Sequence, residues 1–132
     1  MDPTSRAADG LVNYINSVTD HLGSDVYEVD IDVEDVLATA IILVRPRVPT
    51  LVELPLLLTW DEVNGWALRV EIGDGDTTVL GYLGEDILPD AGLVEGFLAA
   101  AASGDHPGTV FPPGFRQPER NDDLEVRLAQ LV

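Results

Sequence analysis

The 132-residue sequence contains no cysteine and no lysine. The first absence removes disulfide frameworks, thiol catalysis and cysteine-ligated zinc together, and it fits a reducing compartment. The second leaves seven arginines (Arg6, Arg45, Arg47, Arg69, Arg116, Arg120 and Arg127) against 24 acids, for a net charge of −17. Direct nucleic-acid binding is disfavoured, because affinity for phosphate backbones comes mainly from clustered cations. Long apolar runs are missing too. Runs such as those around 37–44 and 54–58 fall far short of the roughly 20 residues that a membrane helix needs. The opening MDPTSRAADG has an early acid and no apolar segment of the signal-peptide kind. A cytoplasmic protein without membrane contact is expected.

What is present is ordinary for a folded domain. The hydrophobic fraction of 45% is enough for one globular unit with its own core. A single α+β domain is expected over 1–103, a Pro/Gly-rich linker over 104–120 and a short C-terminal helix over 121–132. No internal repeat is visible.

The most informative stretch is 54–72, LPLLLTWDEVNGWALRVEI. Alternation puts Leu54, Leu56, Leu58 and Trp60 on one face of a first strand and Trp66, Leu68, Val70 and Ile72 on one face of a second. Both sets face one core only if Trp60 pairs with Trp66, Leu58 with Leu68 and Leu56 with Val70, since a one-residue slip turns a strand inside out. That excludes a two-residue Asn64-Gly65 turn. It requires a three- or five-residue loop with a left-handed residue near Asn64 or Gly65.

Around this hairpin the other elements follow from periodicity. Residues 4–22 read as an amphipathic helix with Leu11, Ile15, Val18 and Leu22 on one face, capped by Thr4 or Ser5 and stopped at Gly23. Residues 26–33 alternate as a strand, Tyr27, Val29, Ile31 and Val33 inward and Glu28, Asp30, Asp32 and Glu34 outward. Residues 36–44 form a strand apolar on both faces, as expected of a central or doubly covered position. Residues 77–83 supply a fifth strand, and 45–53, with two prolines, a loop. A second helix spans 89–102 and buries Leu93, Val94, Phe97 and Leu98. Residues 103–120 are broken by proline and glycine, with Phe111 and Phe115 as anchors should they dock. Asn121 caps a last helix bearing Leu124, Leu128 and Leu131. The fold class expected is an antiparallel sheet of about five strands with its helices mainly on one face.

Chemistry-bearing constellations are few. His21 and His106 are the only histidines, without a partner at catalytic or metal spacing. None of Ser5, Ser17, Ser24 and Ser103 sits in a nucleophile elbow. Asp74, Asp76, Thr78 and Glu85 match four positions of a calcium loop, but Val79 replaces the required glycine. Asp61 and Glu62 beside the tryptophans are expected in an exposed loop, where nothing separates their pKa values as acid–base catalysis demands. No enzyme, metal or cofactor is expected.

Two surfaces remain. The stripe Glu28, Asp30, Asp32, Glu34 is either a solvated guard on an edge strand or a face for a basic protein partner or a weakly held divalent cation. On the sheet face opposite the main core, Leu57, Ala67, Leu80 and Tyr82 lie with Thr59, Arg69, Glu71 and Thr78. This half-apolar surface suits protein binding or self-association. The candidate partner surface is therefore Glu28, Asp30, Asp32, Glu34, Leu57, Arg69 and Tyr82. The favoured function is a non-enzymatic protein-binding module of chaperone, immunity or regulatory type. The alternative is a small-molecule sensor with an aromatic pocket lined by Trp60, Trp66 and Tyr82.

The run TWDEVNGWALRVEIG followed by VLGYLGEDILP resembles a family of small actinobacterial proteins known only as a domain of unknown function. The positions that carry the likeness are Trp60, Asp61, Glu62, Gly65, Trp66, Tyr82, Leu83, Gly84 and Pro89. The resemblance implies a bacterial, cytoplasmic, lysine-poor protein and brings no activity with it. In architecture the chain is similar to small acidic helix–sheet–helix proteins, such as secretion chaperones and toxin-immunity proteins, that work by binding another protein.

Overall fold

The computed structural model describes residues 1–44, 56–73, 75–102, 108–115 and 123–132. Helix α1 (Arg6–Leu22) begins where Ser5 Oγ accepts the Ala8 N–H, so that of the two cap residues expected, Thr4 and Ser5, the serine serves. It ends at Gly23, which opens a single 3-10 turn. Five strands follow: β1 (Val26–Val33), β2 (Ala38–Val44), β3 (Leu56–Asp61), β4 (Gly65–Gly73) and β5 (Asp76–Tyr82). They pair antiparallel in chain order, β1-β2-β3-β4-β5, as a meander. Helices α2 (Ala91–Ala102) and α3 (Asp123–Ala129) complete an α+β domain.

The tryptophan hairpin has the register that alternation requires: Trp60 opposite Trp66, Leu58 opposite Leu68, Leu56 opposite Val70. Asp61 pairs with Gly65, leaving a three-residue loop, and Gly65 takes φ 68°. The left-handed residue that closes such a loop is thus the glycine, where it costs least. Asp61 Oδ1 holds the loop by accepting the Val63 and Asn64 N–H groups at 2.8 and 2.7 Å.

One face of the sheet meets the helices. Ala38, Ala40, Ile42, Val44, Leu56, Leu58, Trp60, Trp66, Leu68 and Val70 form a single core cluster with Leu11, Ile15 and Val18 of α1, Val94, Phe97 and Leu98 of α2, and Leu124 and Leu128 of α3. Both indoles are fully buried, and each N–H has a partner. Trp60 Nε1 donates to Ile87 O (2.8 Å) and Trp66 Nε1 to the Tyr14 hydroxyl (3.0 Å), which in turn donates to Pro89 O (2.6 Å). These bonds tie the hairpin to α1 and to the loop before α2 without leaving a buried donor unpaired.

Several inward assignments from the sequence are corrected. Tyr27 is 54% exposed, because the β1–β2 register shifts between Val26 and Glu28; one extra residue reverses the alternation and Val26 takes the inward place. Ile72 is 59% exposed, near the end of β4 where the β4–β5 register breaks again. Leu93 also faces solvent, so α2 buries Val94, Phe97, Leu98 and Ala101 instead. Leu131 lies beyond α3 and is exposed. The expected loop 45–53 and the cap at Asn121 fall outside the described residues, as do parts of the expected linker. Its described part, 108–115, holds no helix or strand beyond one bridge, Thr109 to Tyr82. Phe115 donates its N–H to Val63 O (2.7 Å), whereas Phe111 is among the most exposed apolar side chains. Phe111 is therefore no anchor.

Candidate functional site

The second face of the sheet can be built row by row from the pairing. One row runs Glu28, Leu43, Leu57, Arg69, Val79 across β1 to β5. The next runs Asp30, Ile41, Thr59, Ala67, Tyr82, and a third Asp32, Thr39, Asp61, Gly65. Directly opposed residues of antiparallel strands project to the same side. The acidic stripe and the half-apolar surface are therefore one continuous face, acidic at β1, apolar over β2 and β3, and basic at Arg69. None of Ile41, Leu43, Leu57 and Tyr82 belongs to the core cluster. Ile41 is exposed and the other three half-buried.

β2 is apolar on both sides because it serves two surfaces. Its sequence led to the expectation of a central or doubly covered strand; β2 lies inside the sheet between β1 and β3, and among the described residues the helices cover one side. Arg69 Nε donates to Thr59 Oγ1 at 3.1 Å, which holds the guanidinium across the face toward β3.

Two sequence-derived members are placed elsewhere. Glu34 lies past the end of β1, in the turn where its N–H donates to Leu37 O (3.2 Å), so the strand carries three carboxylates. Leu80 is the extra residue where the β4–β5 register shifts, Leu68 pairing with Gly81 and Arg69 with Val79. The shift brings Val79 and Thr77 onto the open face and moves Thr78 to the row of Val70, on the other side.

Sequence reasoning missed Glu62. Expected in an exposed loop, it is fully buried: its Oε2 accepts the Ala38 N–H at 2.8 Å and lies 3.6 Å from the Met1 ammonium. That ammonium also donates to the carbonyls of Glu34 and Asp35, each at 2.9 Å. A loop carboxylate becomes buried here because the start of the chain folds over it, and no local pattern signals that contact. With Asp61 holding its turn and Glu62 this ion pair, both carboxylates beside the tryptophans have structural work.

The aromatic pocket expected of a sensor is not formed. Trp60 and Trp66 are packed in the core, and Tyr82 stands on the opposite face of the sheet. A different cleft of about 500 Å³ opens on the helix side, between Asn13, Tyr14 and Ser17 of α1, Pro89 before α2, and Arg127 of α3. Burial pushes the Tyr14 hydroxyl well above the ordinary phenol range. Arg127 is engaged by Asp86 in two parallel hydrogen bonds of 3.0 and 2.8 Å. The pairing holds the Asp86 carboxyl below the usual carboxylate range and raises Arg127 further. Tyr14 is thus a neutral phenol and the Arg127 charge is balanced by Asp86, so these two groups add little net charge to the cleft.

Among the described residues no three His, Asp or Glu side chains are grouped as a metal site would require, and no helix is long and apolar enough to cross a membrane. The model of a protein family described as "Family of unknown function (DUF6292)" matches residues 14–100, from α1 to α2. No curated protein and no solved structure matches the chain.

Proposed function

The chain belongs to this family of unknown function, DUF6292, and on that footing we propose that it is a non-enzymatic protein-binding module whose working surface is the open face of the sheet. The carrying observation is that Ile41, Leu43 and Leu57, the centre of that face, stand outside the core cluster. An apolar strip with a polar rim is the usual composition of a recognition surface. The three carboxylates of β1 favour a partner that offers basic groups along that rim, and they raise the association rate more than the affinity. A cytoplasmic chaperone, immunity or regulatory protein would need no more chemistry than this.

A second reading rests on the helix-side cleft, whose volume suits a small polar ligand. The two separate in one comparison. Wild-type protein, Leu57→Asp and Ser17→Trp are immobilised and offered host lysate, and retained proteins are identified by mass spectrometry. A partner lost from Leu57→Asp and kept by Ser17→Trp supports the sheet face. Protein retention indifferent to Leu57→Asp sinks it. A small-molecule thermal shift abolished by Ser17→Trp would favour the cleft.

A further inference from the structure

The charge order along the first row of the open face is self-complementary. Glu28 on β1, Leu43 on β2, Leu57 on β3 and Arg69 on β4 read acid, apolar, apolar, base. We infer that the occupant of this face is a second copy of the same chain, stacked sheet to sheet about a two-fold axis that runs parallel to the strands between β2 and β3. The inference rests on the reading of the open face as a protein-binding surface and names its partner.

The geometry selects that axis. A two-fold in the plane of the interface and along the strands keeps each row on itself and exchanges β1 with β4 and β2 with β3. Glu28 then lies over the partner's Arg69, and Leu43 over the partner's Leu57. In the next row Asp30 lies over the partner's Ala67 and Ile41 over the partner's Thr59. In the third, Asp32 lies at the level of the partner's Gly65, against which the partner's own Phe115 and Ile87 already pack. No carboxylate of β1 meets another carboxylate. The alternative in-plane axis, across the strands, stacks β1 on β1 and opposes the stripe to itself, which like-charge repulsion disfavours. The chosen arrangement is isologous, as closed dimers are, and two twisted sheets stack in this near-aligned way. It also supplies the basic group that the acidic strand seeks from a chain whose net charge is −17.

The contact is modest. Four strands about 4.8 Å apart and about five residues long give a footprint on the order of 300 Å² per copy. That is below the standard interface, so the dimer is dynamic and concentration-dependent. Repulsion between the two net charges is screened beyond about 8 Å at physiological salt.

The test uses charge reversal and sedimentation of the full chain over a concentration series at physiological salt, with circular dichroism to verify folding. The wild type is expected to show a monomer–dimer equilibrium. Glu28→Arg places arginine over arginine, and Arg69→Glu places glutamate over glutamate, so each alone should weaken the dimer on the order of tenfold. Mixing the two single variants restores both pairs, Arg over Glu, and should yield a heterodimer that neither forms alone; the double variant should dimerise as the wild type does. Single reversals that leave dimerisation unchanged, or a mixture that stays monomeric, overturn the inference. A wild type monomeric across the series overturns it as well but spares the protein-binding reading, which the Leu57→Asp capture decides separately.

Discussion

Gly10 sits on α1 facing α3, and a Cβ built there would overlap the backbone carbonyl of Leu128. Gly10→Ala therefore sets two effects against each other. In an isolated helix the change is stabilising by about 1 kcal/mol, since alanine is the best helix former and glycine among the poorest. Here the methyl group meets main chain, which no rotamer change can move aside. α3 must retreat by on the order of 1 Å, and the packing of Leu124 and Leu128, now 3% and 0% exposed, loosens. Overpacking of this kind costs typically 1–3 kcal/mol, and the backbone obstacle puts it at the upper end, about 3 kcal/mol. The net expectation is destabilisation by about 2 kcal/mol. Urea unfolding reads the total, and amide exchange over 124–128 should accelerate more than in the central strands. A chain shortened to remove 123–132 has no carbonyl to meet, so in that background the same substitution should be neutral or stabilising. A Gly10→Ala protein of full length that is more stable than the wild type would refute the close approach of the two helices.

Tyr14→Phe removes the hydroxyl that accepts from Trp66 Nε1 and donates to Pro89 O; leaving a buried indole N–H unpaired should cost about 1–3 kcal/mol in urea melts. Glu62→Ala leaves the Met1 ammonium with only its two carbonyl acceptors and removes the carboxylate that accepts from Ala38, and it should cost about 3 kcal/mol, with Glu62→Gln milder because it still accepts from Ala38. Asp86 has a depressed pKa in the folded state, so its pairing with Arg127 stabilises the protein above the unfolded carboxylate value, about 3.9, and is lost as pH falls through the lower folded value. Acid unfolding followed below about pH 4 should therefore be less steep in Asp86→Asn; equal slopes would refute the assignment. Asp30→Asn with Asp32→Asn removes repulsion between carboxylates about 7 Å apart on one strand and should raise stability by a few tenths of a kcal/mol, read by thermal melting with the fold unchanged by circular dichroism.

The hairpin register was legible because alternation and the need for one buried face leave a single solution: pairing Trp60 with Trp66. The five antiparallel strands followed from period-two alternation and the first helix from its apolar spacing with a cap at Thr4 or Ser5, and membership of a family of unknown function was legible as well. Those signals are local, or pair two neighbouring segments, and a linear sequence carries them in full.

What the sequence left open depends on contacts between distant segments. The single-residue shifts at Tyr27 and Leu80 reverse which side chains share a face, because strand period is two and one extra residue changes parity. Glu62 is buried because the chain start folds against it, and Gly10 is required because α3, over a hundred residues later, presses its backbone there. Periodicity named the acidic stripe and the half-apolar strip separately. Only the pairing of β1 through β4 put Glu28, Leu43, Leu57 and Arg69 in one row, since position across a sheet is fixed by strand neighbours and not by the sequence within any strand.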